Sequence, residues 1–201
     1  MKKIGVILLA AVTALCCTAC SSGKSGSAGE SSVSNAAKKS GGLEVKAADG
    51  VDQDYIDLLK TYFEAIDHDN FADYQKTVYP PYQESYGKYL ESDGSSLEQS
   101  FHEDLCTRFD EDGYDGWTLT ELQIEYCPPE KEDLDDFFKA YSGAGIFDDA
   151  FVENCKKDAA EMHDILFTLY ALYDGDEEAV PIVTNGEIFV LKNADGAYLF
   201  G

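Results

Sequence analysis

Beyond Gly50 the apolar residues of the chain recur first at helical and then at strand spacing, a succession that predicts an α+β fold. Tyr55, Ile56, Leu58, Leu59, Tyr62, Phe63 and Ile66 form one broad helix face behind Asp52, a suitable N-cap. Asn70 caps a second helix carrying Phe71, Tyr74 and Val78, which Pro80 and Pro81 end. Tyr82, Tyr86 and Tyr89 line a third, closed by Gly94, and Ser95-Ser96-Leu97-Glu98 reads as a capping box ahead of Leu97, Phe101, Leu105 and Phe109. A turn-rich acidic run, 110–116, precedes a strand from Trp117 to Cys127 whose alternation is clean only in its second half. Two short helices follow Pro128-Pro129. From Met162 to Tyr173 both sides are apolar, as in a strand covered on both faces. Ala179–Thr184, Glu187–Lys192 and Ala197–Phe200 continue as a meander, with Asn185-Gly186 as a two-residue hairpin turn. The pattern predicts helices packed on one face of a curved antiparallel sheet.

The amino terminus has a different pattern. Lys2 and Lys3, an apolar run from Ile4 to Cys17, and the small residues Thr18 and Ala19 succeed one another as in a signal peptide, 1–19. The run falls short of the about 20 apolar residues a membrane span needs. Cys17-Thr18-Ala19-Cys20 resembles the bacterial lipobox, with Cys17 where that motif usually has Leu. The resemblance implies export, lipid attachment to Cys20 and a place on the extracytoplasmic face of the cell membrane. Residues 20–50, rich in Ser, Gly, Ala and Lys and without an aromatic residue, read as a flexible tether with a mean reach of about 30 Å. The folded domain is then 51–201.

That domain holds nine basic residues (15 less six before Val51) and 36 acidic ones (39 less three), a formal charge of −27. Such a charge excludes nucleic acid as a partner and favours solubility, or attraction of cations and basic ligands. Cys106, Cys127 and Cys155 remain after the signal and the lipid site, an odd number without metal-ligand spacing, and each reads as a small buried hydrophobe.

Candidate chemistry is sparse. His68 lies in a polar turn and His102 beside Glu103 and Asp104, both read as surface residues. His163, in phase with Ile165, Phe167 and Leu169, is the weak catalytic candidate, with Glu64 or Asp57 of the first helix as its acid partner. Counting from Asp110 places Asp112 and Glu121 at positions 3 and 12 of a calcium loop, but Tyr114 and Asp115 break the pattern. Tyr82, Tyr86 and Tyr89 could line a groove for a peptide or glycan, although helical spacing of this kind more often means packing. No phosphate loop, nucleophile elbow or zinc spacing occurs, so no cofactor is expected.

The helix from Tyr55 to Asp67 with Asp69-Asn70-Phe71, together with Val180-Pro181-Ile182-Val183 and Gly186 to Leu191, is similar to the two ends of NTF2-like (cystatin-like cone) domains in bacterial lipoproteins. The resemblance implies a cone that can hold a ligand between sheet and helices, and in some members an Asp and a His acting there as acid and base. The expectation is a membrane-anchored, non-catalytic binding module for a small molecule, a peptide or a basic protein near the membrane. The alternatives are a small cone-type enzyme using His163 and a carboxylate, and an acidic accessory subunit of an envelope complex.

Overall fold

The computed structural model describes residues 42–127 and 131–200. The signal segment, Cys20 and most of the expected tether lie outside the described residues. The elements run β1 (Glu44–Ala47), α1 (Gln53–Asp67), α2 (Phe71–Thr77), α3 (Pro80–Ser92), α4 (Leu97–Ser100) continued by one π-helical turn (Phe101–Leu105), β2 (Trp117–Cys127), α5 (Lys131–Gly143), α6 (Asp149–Asp158), β3 (Glu161–Tyr173), β4 (Val180–Lys192) and β5 (Ala197–Leu199). The five strands form one curled sheet in sequence order, so the α+β class and the C-terminal meander are present. No helix among the described residues is long and apolar enough to cross a membrane.

Local sequence accounts for the first helices. Asp52 and Asn70 accept hydrogen bonds from the amides of Asp54 and Asp73 and so cap α1 and α2. The cap of α4 is Ser96, bonding Gln99 N at 3.1 Å, one residue beyond the expected Ser95. Pro80 does not only follow α2; it opens α3 at a position where a missing amide costs nothing. The predicted face of α1 is buried: Tyr55, Leu58, Leu59, Tyr62, Phe63 and Ile66 lie in the core with Leu122, Ile124, Ile165, Phe167, Leu169, Ile188, Val190 and Leu199 of the sheet.

The sheet departs from expectation in four ways. First, it is mixed. Glu44–Ala47, expected to be tether, pairs parallel with Glu121–Ile124, and the buried Leu43 anchors its start. A parallel neighbour requires a long crossover, which α1 to α4 provide. Second, the uneven alternation of β2 is a β-bulge. Leu119 pairs with Ala171 but Glu121 with Tyr170, leaving Thr120 as the extra residue and changing the phase of the strand. Trp117 and Leu119 are buried before the bulge, Leu122 and Ile124 after it. The buried Asp67 carboxylate accepts the Leu119 amide at 3.2 Å, tying the end of α1 to this irregular point. Third, β3 is not covered evenly: Ile165, Phe167, Leu169, Ala171 and Tyr173 are buried, whereas Leu166, Thr168, Tyr170 and Leu172 are half-buried.

Fourth, Asn185-Gly186 makes no hairpin. β4 runs through it as one strand paired to β3 on both sides, with Val183 opposite Leu169 and Gly186 opposite Phe167. Thr184 and Asn185 thus face a single residue, Thr168, and Asn185 takes the left-handed conformation (φ 53°) that a bulge can require as readily as a turn. Glycine is needed next to it for space. A Cβ at position 186 would sit 2.6 Å from Cζ of Phe167 and 2.7 Å from Cγ1 of Val183. The Phe167 ring also packs against Phe63 of α1, 5.1 Å between centroids.

Gly186→Ala is therefore expected to destabilise the fold by about 1–3 kcal/mol through overpacking, measured by urea denaturation. Adding Phe167→Leu should recover part of that loss, and purely additive effects would contradict the contact.

Candidate functional site

Two polar groupings sit at opposite ends of β3. At its start, Tyr55 of α1 donates to Glu161 Oε2 at 3.2 Å, and His163 Nε2 meets the same oxygen at 3.1 Å. The Tyr55 and His163 rings meet edge to face at 5.4 Å. Lys192 of β4 reaches across to Asp52 and Asp54 at 2.8 and 2.7 Å, with its ammonium 5.7 Å from the Tyr55 ring centre. His163 therefore has Glu161, two residues earlier on its own strand, as its acid partner, not the Glu64 or Asp57 expected from α1. Residues two apart on a strand share a face. Asp57 accepts from Gln53, and Glu64 lies 3.9 Å from Lys60. The grouping joins the N-terminus of α1 to β3 and β4 as a clamp.

Its charges are tuned to that role. Hydrogen bonding to Lys192, and then to the Asp54 amide, holds the Asp52 carboxyl below its ordinary range. His163 and then Tyr55 do the same for Glu161. The Lys192 ammonium is raised by its bonds to Asp52 and Asp54.

At the other end of β3 the acidic run and the first residues of β2 enclose a cleft of about 150 Å³ lined by Asp110, Glu111, Tyr114, Asp115, Gly116, Trp117 and Tyr173. Gly113 (φ 101°) and a bond from Tyr114 N to Glu111 O turn the chain, and Asp174 N to Gly116 O at 2.9 Å brings in the loop after β3. Trp117 is buried against Phe109 and donates its indole N–H to Asp110 Oδ1 at 2.9 Å. The Tyr173 hydroxyl donates to Phe109 O at 3.0 Å. Tyr114, 40% exposed, lies on the Tyr173 ring with centroids 4.7 Å apart. The field there is negative: the Asp176 charge and hydrogen bond push the Tyr114 phenol up, and burial followed by the Glu111 charge does so for Tyr173.

The remaining expected residues are dispersed. Asp110 is committed to Trp117, while Glu121 lies on β2, paired with Lys46 of β1 and accepting from Gln123, so the calcium-loop set Asp110, Asp112 and Glu121 does not assemble as ligands. Tyr82 is buried in the core among Tyr141, Phe147 and Phe200, which corrects its reading as a ligand-facing residue; Tyr86 and Tyr89, half-buried, stack outward from it. His68 is exposed at the end of α1, 3.6 Å from Asp67. Cys155 is buried as expected, and its thiol is pushed up to about 12 mainly by that burial. The cleft aromatics Trp117, Tyr114 and Tyr173 escaped sequence reading, although one signal was present: two aromatic residues set inside an otherwise acidic and glycine-rich run.

Comparison with protein-family models, with curated proteins and with solved structures gives no match for this chain.

The clamp yields a pH prediction. Asp52 and Glu161 have folded-state pKa values below their unfolded ones, so their contribution is present above about pH 4 and is lost as pH falls through the folded values. Lys192 has a raised value, and its contribution is lost only as pH rises through that value. Thermal melts should show the destabilisation by Lys192→Met at a plateau near neutral pH and diminished below about pH 4. A penalty independent of pH would show that Lys192 acts only by packing.

Proposed function

We propose that the chain is a lipoprotein held on the extracytoplasmic face of a membrane through Cys20, whose NTF2-like domain is a non-catalytic binding module for a basic partner. Its recognition site is the cleft between the 110–116 loop and the end of β3. The observation that carries this reading is the lining: aromatic rings of Tyr114, Tyr173 and Trp117 beside the carboxylates of Glu111 and Asp115. A cation gains from a ring face through the quadrupole and from a carboxylate through a charged hydrogen bond, so this combination suits a lysine or arginine head group. Size decides between a free small molecule and a side chain of something larger. Small-molecule pockets run to about 300–1,000 Å³, and a cleft of about 150 Å³ takes only a head group. The domain charge of −27 would steer such a partner toward the surface, and a tether shortened by β1 to a reach of about 25 Å would keep the encounter near the membrane. In this reading His163 clamps α1 and takes no part in chemistry.

Trp117 is the only tryptophan of the chain, so its fluorescence reports on the cleft. Titration of the purified chain with a lysine- and arginine-containing peptide should give a saturable change that weakens with salt, and a glutamate-rich peptide should give none. Tyr114→Ala should weaken binding roughly two- to fivefold, the worth of an exposed cation–π contact. An unresponsive Trp117 would refute the assignment.

A further inference from the structure

A third grouping lies where the turn between α1 and α2 meets the π-helical turn. Asp69, His102 and Cys106 each offer one ligand atom, and the three atoms lie within 4.8 Å of one another. Among the described residues this is the one group of three or more His, Cys, Asp or Glu side chains so placed. The backbone explains the convergence. Cys106 N bonds Phe101 O at 3.0 Å, closing a five-residue turn, and residues 102 and 106 stand on the same side of the helix, as i and i+4 positions do. π-turns inside helices are frequent at functional sites. Asp69 is one of two non-glycine residues with positive φ (53°) among the described residues, at the helix-ending position where glycine is the common choice. In that conformation its carboxylate contacts His102 Nδ1. The Phe71 and Phe101 rings, 6.3 and 5.2 Å from the imidazole, fix its plane.

We propose that Asp69, His102 and Cys106 bind a divalent transition ion of the zinc class. The donor set decides the class: a thiolate and an imidazole beside one carboxylate are too soft for calcium or magnesium and match Zn²⁺. The ion occupies His102 Nδ1, the ring proton sitting on Nε2 of the neutral imidazole, and displaces the thiol proton of Cys106, which is released to solvent. Asp69 is exposed and His102 and Cys106 are half-buried, which gives the ion a path from solvent. Three protein ligands leave the fourth tetrahedral position for water or for a group from a partner. The site pins the α1–α2 turn to the π-helical turn.

The test uses Co²⁺ as a spectroscopic probe on the full chain. One equivalent should produce a thiolate-to-metal charge-transfer band that Zn²⁺ abolishes by displacement. Cys106→Ser should remove the band. His102→Gln and Asp69→Asn should each weaken binding by at least the roughly ten- to hundredfold that loss of an outer-sphere partner costs. Because a variant can fail to fold, X-ray absorption at the zinc edge of the unmodified chain is the second measurement, with one sulfur expected at about 2.3 Å in a shell otherwise of nitrogen and oxygen. Absence of the charge-transfer band, its survival in Cys106→Ser, or an all-oxygen shell from scattered carboxylates would overturn the proposal.

Discussion

The ring of Phe167 fills the space that a side chain at position 186 would need, and Phe63 closes over it from α1. Much of the fold depends on this contact. The bulge beside Gly186 and a second at Ile182 add twist to β4, the bulge at Thr120 does so on the opposite side of β3, and a strand flanked by such irregularities curls. The concave side then receives the broad face of α1, whose position is fixed at one end by Asp67 on the Leu119 amide and at the other by the clamp around Lys192. Helix and curl specify each other.

The two ends of β3 are separated by the length of a thirteen-residue strand, roughly 40 Å along its contour. At the first end the charges answer one another: Lys192 lies between two aspartates, and Glu161 accepts from Tyr55 beside His163. Such a grouping holds secondary structure in place. At the second end the carboxylates stand beside aromatic rings around a small cleft, where negative charge on Asp176 pushes the Tyr114 phenol up and burial, followed by the Glu111 charge, does so for Tyr173. A site that raises the pKa of its own phenols favours an incoming cation by the same field. The difference between the two ends is the physical basis of the proposal that recognition takes place at the 110–116 loop.

What was legible in the sequence was what is decided locally. Asp52 and Asn70 as caps, the apolar face of α1 and the bounds of β2 follow from short-range rules, and the structure has them. What was not legible depends on a distant partner. Asn185-Gly186 signals positive φ, but whether that serves a turn or a bulge is settled by β3, whose length gives β4 a partner on both sides. Glu44–Ala47 carries little apolar pattern and becomes a strand only because Glu121–Ile124 offers an edge; the same pairing brings Lys46 to Glu121 and draws it out of the apparent calcium loop. Tyr82 belongs to the core because Phe200, at the far end of the chain, packs on it. Asp69 and His102 are 33 residues apart, and only the i, i+4 spacing of His102 and Cys106 on a predicted helix hinted at their grouping.

The recognition claim rests on where a cation enters. Amide and indole nuclear magnetic resonance spectra of the isotope-labelled chain, recorded with and without a lysine- and arginine-containing peptide, address it directly. The account predicts shift changes concentrated at 110–117 and 173–176, with the Trp117 indole N–H among the largest and the clamp residues around Lys192 unmoved. Changes spread evenly over the acidic surface, or centred on Tyr86 and Tyr89 instead, would contradict it.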